Sequence, residues 1–432
     1  MKLIKRLSTR QLVMIGNFLE FFDLYLYVHL GFLIQQHLFP NFRESTVRIV
    51  SFCGLYFFAP IACLFWGYIG DTKGRRKVLV TSSFILSIST TLIAFIPDYS
   101  WWQDDSKIYS FIILMILRTL QGMAIGGEPF AAGLYAMENV RDEKYVPVEL
   151  AKMNMSESAG GMLALGLAYI SMNYLNFWEC SWRIPFIVAG FSTLYVMYIR
   201  SYLNETDEYA RVPSDTQLSY FSTHAAEIIK SFYFLKTNFF CNAILCMSYP
   251  VLFIFNYSFL SPLVVKTLGY PKEFLIAYNF CIVLGCFLFG YLAVRIPVEL
   301  NWNKKITMGC YHVISAVCVI AFMMGIINRG WPIGWYIAIQ VLMMTGIAWT
   351  LIAPSIVKAF PVTKRFTYTT MGASFSRITY FILFILIFPY VFDMNNVKLL
   401  GSICLIVIAL AMVAVYLYVS YKDLSKAYIL NT

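Results

Sequence analysis

Six ionisable side chains lie inside long apolar segments of this sequence. They are Glu20, Asp23, Arg118, Glu128, Glu157 and Arg377. A charge in the middle of a lipid bilayer costs about 2.5–3.5 kcal/mol on insertion scales, so such residues are expected to be paired or functional. An acid beside an arginine suits proton coupling, because the acid takes up a proton more readily once a substrate occupies the arginine.

The helical repeat of about 100° per residue groups these charges with nearby polar residues. One side of the first apolar segment carries Asn17, Glu20, Asp23 and Tyr27, and one side of the fourth carries Arg118, Gln121 and Glu128. We expect both faces to line a central cavity. Asp23 with Arg118 is the first candidate pair for proton coupling, and Glu20 is the alternative acid. A structural ion pair that only holds helices together is the competing interpretation.

Candidate substrate-binding residues are polar or aromatic residues on these faces and in the second half of the chain. They are Asn17, Tyr27, Gln121, Glu128, Asn256, Tyr257 and Arg377. Asn256 and Tyr257 are included because the seventh segment corresponds to the first if the two halves are repeats. Two arginines at mid-depth, Arg118 and Arg377, suit a carboxylate held from two sides.

The elements that must position these residues are membrane-spanning helices. The chain has 432 residues, of which 59% are hydrophobic and 13% charged, whereas soluble domains carry about 25% charged residues. The mean hydropathy is +0.68. This composition excludes a soluble enzyme, a nucleic-acid-binding protein and a disordered chain. The net charge of +10 is typical of basic loops kept on the cytoplasmic side of a membrane.

Twelve segments are long and apolar enough to cross a bilayer, which takes about 20 residues. They are 12–39, 47–70, 78–97, 108–138, 152–175, 183–203, 237–262, 273–295, 306–327, 333–357, 366–392 and 399–421. We therefore predict an N-terminal bundle (1–203), a polar linker (204–236) and a C-terminal bundle (237–432). Lys and Arg concentrate on the side that holds both termini and the linker, which predicts that this side is cytoplasmic.

Closely spaced glycines and charges follow the second segment, between Gly67 and Lys77. The run contains Gly67, Gly70, Asp71, Gly74, Arg75 and Arg76. It resembles the signature loop of the major facilitator superfamily, whose members are all-α membrane proteins with twelve helices in two six-helix bundles. The resemblance implies a cytoplasmic gate in which Asp71 meets the start of the eleventh span (366–370), while Arg75 or Arg76 pairs with Glu138.

Three further stretches resemble the metabolite:proton symporters of that superfamily, a group that includes proline/betaine and α-ketoglutarate permeases. The stretches are 16–25, 118–128 and 182–186. The resemblance implies proton-coupled import of a small carboxylate or zwitterion. Two departures stand against it. Val294 occupies the acidic position of the second-half copy of the signature loop, and Ala59 precedes Pro60 where the family has an arginine.

The fourth segment contains a helix break, Gly126-Gly127-Glu128-Pro129. Pro129 has no amide hydrogen to donate to the carbonyl of Ile125. Polar groups on broken helices often line transporter sites, although a simple packing kink would give the same pattern.

Other classes of protein fit the sequence less well. An embedded enzyme lacks its usual motifs, since His-Glu-x-x-His and Gly-x-Ser-x-Gly do not occur. A transporter-like receptor would be marked by a large added cytoplasmic domain. Proton-driven export of an organic acid or small siderophore would use the same residues and remains open. We expect no cofactor and no metal, with the proton as coupling ion. The expected partners are a small-molecule substrate and the bilayer of a bacterial inner membrane, with no nucleic acid and a functional monomer.

Overall fold

The fold is known from a computed structural model. It describes residues 9–40, 58–102, 108–174, 181–211, 221–271, 274–328, 331–345, 349–391, 406 and 408–410. This part of the chain is helical throughout and contains no β-strand. The expected twelfth span, 399–421, lies outside the described residues except for four helical positions.

The described residues of the first half form seven long or medium α-helices and one short one. They are α1 (Thr9–Leu38), α2 (Ala59–Thr72), α3 (Arg75–Ile93), α4 (Tyr109–Ile125), α5 (Glu128–Glu138), α6 (Val146–Asn173), α7 (Arg183–Arg200) and α8 (Asp207–Ala210). The second half contains α9 (Phe221–Ile254), α10 (Ser261–Thr267), α11 (Phe274–Glu299), α12 (Lys304–Asn328), α13 (Ile333–Thr345), α14 (Ala353–Val357) and α15 (Val362–Val391).

The fourth span is broken where the sequence predicts it. Helix α4 ends at Ile125, Gly126 and Gly127 form a turn, and α5 begins at Glu128 with Pro129 in its first turn. Pro is favourable there because the first amides of a helix have no intrahelical acceptor. The break therefore places helix-end carbonyls inside the first bundle.

The seventh span begins earlier than predicted. Helix α9 starts at Phe221, within the predicted linker, and continues into a π-helix over Phe255–Leu260. Ile228 and Leu235 are buried in one apolar cluster with Phe360 and Tyr368 near the start of α15. The early part of α9 thus packs on protein rather than lipid, so a hydropathy window misses it.

The tenth span also differs from the single segment predicted over 333–357. Its described residues include α13, a 3₁₀ turn over Trp349–Leu351, and α14, which has Pro354 in its first turn. By length and hydropathy alone, five described helices qualify as spans: Arg75–Ile93, Tyr109–Glu138, Phe274–Glu299, Lys304–Asn328 and Ile333–Val357. Helix α1 carries buried Asn17, Glu20 and Asp23, which lower its mean hydropathy. Helix α1 is thus polar where it contributes to the candidate site.

Candidate functional site

A buried polar array links three helices of the first half. The Gln121 amide nitrogen donates to Asp23 Oδ2 at 3.1 Å and to Thr90 Oγ1 at 2.8 Å. The Gln121 amide oxygen accepts a hydrogen bond from Arg118 Nη1 at 2.8 Å. Asp23 and Arg118 are 2% and 1% exposed. Gln121 therefore bridges the candidate acid and the candidate arginine.

Tyr27 completes this array from α1. Its ring lies beneath the Arg118 guanidinium, with 3.7 Å between the guanidinium carbon and the ring centroid. A cation over an aromatic face is stabilised most strongly when the pair is desolvated. Tyr27 is itself only 5% exposed, so the charge of Arg118 is held by a ring and an amide.

The polar face of α1 is turned toward the first bundle. Asp23 bonds to α4 through Gln121, and Asn17 bonds to α6, so in this structure both side chains are engaged within the first bundle. Contact with the second half comes from Tyr25, whose ring lies 5.2 Å from that of Phe253 and 5.9 Å from that of Tyr257. Helical geometry explains the difference, because Tyr25 is about 200° from Asp23 around α1.

Asn17 and Glu157 connect α1 with α6. The Asn17 amide nitrogen donates to the Met153 carbonyl at 3.1 Å, to Ser156 Oγ at 3.1 Å and to Glu157 Oε1 at 3.4 Å. Asn17 was predicted to bind substrate. Among the described residues, its side-chain partners all lie in the first bundle, as in an interhelical hydrogen bond.

Glu128 forms a buried ion pair that the sequence analysis missed. Its carboxylate pairs with Arg200 at the end of α7 and accepts from Ser83 Oγ at 3.0 Å. A Cβ at Gly16 of α1 would overlap the Arg200 guanidinium. The sequence analysis did not select Arg200, because a basic residue at the end of an apolar segment usually lies at the cytoplasmic surface. Gly16, which leaves room for the Arg200 guanidinium, is the sequence feature that accompanies this pair. The charges that act on buried Glu20 include those of Glu128 and Arg200.

Asn256 takes part in a neutral polar network inside the second half. The Gln340 amide nitrogen donates to Asn256 Oδ1 at 2.7 Å, and Tyr278 donates its hydroxyl hydrogen to Gln340 Oε1. Ser261 Oγ donates to the Asn256 carbonyl at 3.0 Å. Tyr257, the neighbouring candidate, packs in the aromatic contact with Tyr25. The two candidates therefore face different surroundings.

Arg377 reaches from the second half to the break in the fourth span. Its Nη2 donates to the Ile125 carbonyl at 3.2 Å, and its Nη1 lies 4.0 Å from Cys63 Sγ. The guanidinium carbon is 5.1 Å from the centroid of the Phe130 ring. Arg377 thus contacts the carbonyl that Pro129 leaves without its usual donor.

At the cytoplasmic end, Asp71 contacts the eleventh span near its start, at the residues that the sequence resemblance implies, in the second turn of α15. Its two carboxylate oxygens accept from the backbone amides of Phe366 and Thr367, each at 2.9 Å. A carboxylate at a helix N-terminus is stabilised by the helix dipole. Burial nevertheless raises the pKa of Asp71 to about 7, against the lowering effects of Arg75 and these amides.

Glu138 joins both halves through two arginines. Arg75 donates to it from Nε at 3.1 Å and from Nη2 at 2.9 Å, and Arg365 of α15 donates from Nη1 at 3.0 Å. Arg75 is therefore the partner expected for Glu138. Arg76 is exposed and donates to the Ser201 carbonyl instead, because the adjacent turn directs its side chain along α7.

The glycines of this loop allow close approach. Gly67 and Gly70 lie against Thr367 and Phe366, where an added Cβ would overlap these side chains. Gly74 has a φ of 91°, a conformation that favours glycine.

The segment between Glu205 and Tyr209 adds to the same closure, and the sequence analysis had treated it as part of a plain linker. Glu205 accepts from the amides of Arg75 at 3.1 Å and Arg76 at 3.2 Å, and Thr206 donates to Glu138 at 2.6 Å. Glu208 accepts from Arg365 at 2.6 Å. Although burial opposes the change, Arg365 and Lys358 hold the pKa of Glu208 below its ordinary value.

His224 lies beside this closure on α9. Its Nε2 is 2.9 Å from Thr367 Oγ1 and 3.6 Å from Asp71 Oδ2. Burial and the charge of Lys364 lower the pKa of His224 to about 4. The histidine is therefore neutral while this arrangement is intact.

The second-half copy of the loop makes an apolar contact in place of a charged one. Val294 is 2% exposed and belongs to a cluster with Val148 and Ala151 of α6. The cytoplasmic closure is thus asymmetric, as the loss of the acidic residue predicts.

Comparison with known proteins adds a family assignment. A family model described as Major Facilitator Superfamily matches residues 13–383. The proline/betaine transporter of Escherichia coli (strain K12) is 30% identical over 198 residues, which are 44% of this chain and 39% of that protein. The glycine betaine/proline/ectoine/pipecolic acid transporter OusA of Dickeya dadantii (strain 3937) is 28% identical over 198 residues, 44% of this chain and 38% of that protein. The chain therefore spans about two fifths of the length of these relatives.

Solved structures share the fold over nearly the whole chain. The proton:xylose symporter XylE bound to 6-bromo-6-deoxy-D-glucose has a TM-score of 0.75 at 14% identity, covering 96% of this chain and 95% of that one. FucP in the outward conformation has a TM-score of 0.65 at 13% identity, covering 95% and 98%. The fold class predicted from the sequence is confirmed.

Proposed function

The chain belongs to the major facilitator superfamily, and on that premise we propose that it is a secondary active transporter. In this proposal it carries a small carboxylate-bearing metabolite, such as an amino acid, a betaine-like zwitterion or an organic acid, together with protons. Membership of a superfamily of transporters also excludes the membrane-embedded enzyme. The chain is a multi-pass membrane protein.

The observation that carries the proposal is the buried array of Asp23, Gln121 and Arg118. It holds an acid and an arginine close together, but through an amide rather than as a sealed ion pair. Breaking a fully buried ion pair by removing one partner costs about 3–5 kcal/mol. A bridged pair is easier to rearrange, because Gln121 can rotate while Tyr27 keeps its contact with Arg118. This suits a group that must gain and lose a proton in every cycle.

Coupling follows from competition for positive charge. A bound carboxylate partly neutralises the positive charge of Arg118, so Arg118 stabilises the anionic form of Asp23 less. Asp23 takes up a proton, and the occupied, protonated protein carries less charge through the membrane. Glu20 remains the alternative acid, since it is 3% exposed and lies among the charges of Glu128 and Arg200.

Alternating access uses the cytoplasmic closure. Asp71, Glu138 and Arg365 join the halves only while that side is closed, so they favour the closed state by their differential energy and by nothing more. In this state, substrate and proton arrive from the opposite side. Release to the cytoplasm requires the amides of Phe366 and Thr367 to leave Asp71.

The substrate class rests on the relatives and on Arg377. Two relatives are named for proline and betaine transport, and both of these compounds carry a carboxylate. Arg377 and Arg118 are the groups proposed to meet it, with Asn256 and Tyr257 beside them in the second half. We also propose cytoplasmic termini, a bacterial inner membrane, a functional monomer and no cofactor other than the proton.

Proton-driven export of an organic acid or small siderophore is the second candidate. One observation favours it: the second half closes on α6 through Val294 and other apolar residues. A cytoplasmic closure in which Val294 makes an apolar rather than a charged contact would alter the free-energy difference between the state open to the cytoplasm and the state open to the opposite side.

Uptake into proteoliposomes tests the proposal. The panel contains proline, glycine betaine and di- and tricarboxylates, each measured with and without an inward proton gradient. We expect one carboxylate-bearing compound to accumulate only with the gradient. Protein-free liposomes serve as the control for leakage. Entry that only equilibrates the substrate and ignores the gradient would contradict proton symport and support a uniporter. Accumulation only with an outward gradient would contradict it and support an exporter.

A further inference from the structure

Arg377 stands out because it makes no ion pair with any described carboxylate, although its charge acts on buried Glu20 of α1. Within the described part of the chain no carboxylate lies within 4.0 Å of its guanidinium. Its contacts are a carbonyl, a thiol and the face of the Phe130 ring. An arginine at this depth is costly unless it is paired or functional. Because its contacts are neutral, the guanidinium is suited to bind an anionic group of a ligand.

The carbonyl that Arg377 meets is a product of the helix break. In an unbroken helix the Ile125 carbonyl would accept from the amide of residue 129, and Pro129 has none. The neighbouring Gly126 carbonyl accepts from Cys63 Sγ at 3.3 Å, and the Met123 carbonyl accepts from Trp66 Nε1 at 2.7 Å. Helix α2 thus holds the break in place beside Arg377.

This contact also joins the two halves of the protein. Arg377 belongs to α15, whose second turn donates two backbone amides to Asp71 of the first half. The two contacts are separated by eleven residues, or roughly 16 Å along the helix. Losing the contact between Arg377 and Ile125 therefore loosens α15, the same helix that the cytoplasmic closure holds.

We propose that the Ile125 carbonyl occupies the carboxylate subsite of Arg377 while the protein is empty, and that the substrate carboxylate displaces it. The inference rests on the proposed function and specifies which side chain binds the substrate carboxylate. A carboxylate offers two charged oxygens to the guanidinium fork, and charge-assisted hydrogen bonds are roughly twice as strong as neutral ones. Displacement breaks the contact between α15 and the helix break, so substrate binding favours opening of the cytoplasmic side.

Substitutions at two positions, Pro129 and Arg377, test separately the contact with the Ile125 carbonyl and the binding of the substrate carboxylate. Pro129→Ala restores an amide at position 129, which in this proposal competes with Arg377 for the Ile125 carbonyl, so Arg377 is held less firmly. Pro147→Ala is the matched control, because Pro147 lies in the first turn of α6 and frees no carbonyl. Arg377→Lys keeps the charge and loses the fork, and Arg377→Gln removes the charge.

The first readout needs no ligand. Spin labels at the exposed positions 73 and 302, on opposite halves at the cytoplasmic side, report the closed fraction by their distance distribution. Other cysteines are removed, except for buried Cys63. We expect Pro129→Ala and Arg377→Gln to lower the ratio of closed to open protein by about tenfold, the equivalent of one hydrogen bond to a charged group. Pro147→Ala should match the wild type. A closed fraction unchanged in both test variants would overturn the contact's role.

The second readout compares glycine betaine with choline, which share a trimethylammonium group but differ in the carboxylate. Calorimetric titration of the purified protein measures their affinities without any proton gradient, so this readout does not depend on proton coupling. We expect betaine to bind tighter than choline, Arg377→Lys to weaken betaine binding by about tenfold or more, and Pro129→Ala to strengthen it. Proline and succinate extend the panel. Equal affinity for betaine and choline, or no binding by any carboxylate, would overturn the subsite assignment, whereas failure of gradient-driven uptake alone would overturn only the symport.

Discussion

At the scale of single residues, the arrangement around Arg118 shows what a sequence can and cannot predict. The identities of Asp23, Arg118 and Tyr27 follow from rare charges and helical spacing. That Gln121 stands between the acid and the arginine does not follow, because spacing gives a direction around a helix but no side-chain conformation. Arg200 was missed for a related reason: a basic residue at the end of an apolar segment is usually exposed on the cytoplasmic side.

The ring of Tyr27 provides a residue-scale prediction. Tyr27→Leu removes the aromatic face beneath Arg118, whereas Tyr27→Phe keeps it. A cation over an aromatic ring contributes about 0.5–2 kcal/mol, so we expect gradient-driven uptake to fall by about 2- to 30-fold in the leucine variant. Initial uptake rates in proteoliposomes measure this. The phenylalanine variant should stay close to the wild type, and an equal loss in both would assign the effect to the hydroxyl group.

At the scale of elements, the starts and ends of helices were predicted where the cause is local. Pro129 and two glycines predict the break between α4 and α5, whereas the contact of Asp71 with α15 joins residues far apart in sequence and follows only from the family resemblance. The early start of α9 was not predicted, because Ile228 and Leu235 pack against Phe360 and Tyr368, which are distant in sequence. The contacts made by Glu205, Thr206 and Glu208 depend on the same long-range packing.

The contact of Asp71 with α15 leads to a prediction about the cytoplasmic closure. Asp71→Asn keeps the side-chain volume but removes the charge that faces the amides of Phe366 and Thr367. Charge at a helix N-terminus contributes about 0.3–1 kcal/mol when exposed and up to ~2 kcal/mol when partly buried. We expect a lower closed fraction by spin-label distances, slower turnover, and little change in substrate affinity. Arg76→Gln, in the same loop but exposed and without a contact to the second half, is the control. If the two variants behave alike, the loop serves only to orient the chain in the membrane.

His224 gives this closure a dependence on cytoplasmic pH. Its pKa is about 4 while it is buried beside Asp71, Thr367 and Lys364, against 6.5 for an ordinary histidine. A lowered histidine pKa means that protons favour the open arrangement. The contribution of His224 to closure is therefore complete above about pH 6.5 and is lost as the pH falls toward 4.

Comparison with His224→Gln isolates this effect. At about pH 5.5 the wild type should be less closed than the variant by about tenfold, and near pH 8 the two should agree. Asp71, whose raised pKa acts in the opposite direction, is present in both proteins. Parallel pH profiles of the closed fraction in the two proteins would contradict the role of His224.

At the scale of the whole molecule, composition and the distribution of basic residues predicted a membrane protein of two helical bundles. The family and the shared fold confirm the architecture. Val294 predicted that the two halves contribute differently to the cytoplasmic closure. In the structure, Val294 makes an apolar contact with α6. The expectation that the polar face of α1 lines a central cavity stays a prediction: Asn17 and Asp23 bond within the first bundle, while Glu20 interacts with the charge of Arg377 in the second half.

Orientation is testable by labelling. Single cysteines at Arg76 and Tyr270, both exposed, replace these residues in a cysteine-free background. In spheroplasts, a membrane-impermeant maleimide should label position 270 at once and position 76 only after the membrane is permeabilised. The reverse pattern would place both termini outside the cell.

Proton movement tests the central claim most directly. Proteoliposomes without any gradient receive the transported member of the panel from outside, and a pH electrode follows the weakly buffered medium. We predict that the wild type makes the medium more alkaline as substrate enters, and that Asp23→Asn does not, although it still exchanges labelled for unlabelled substrate across the membrane. Asparagine keeps the volume of aspartate but cannot carry the proton. An equal pH rise in Asp23→Asn, with normal accumulation under a proton gradient, would contradict the assignment of proton coupling to the Asp23, Gln121 and Arg118 array.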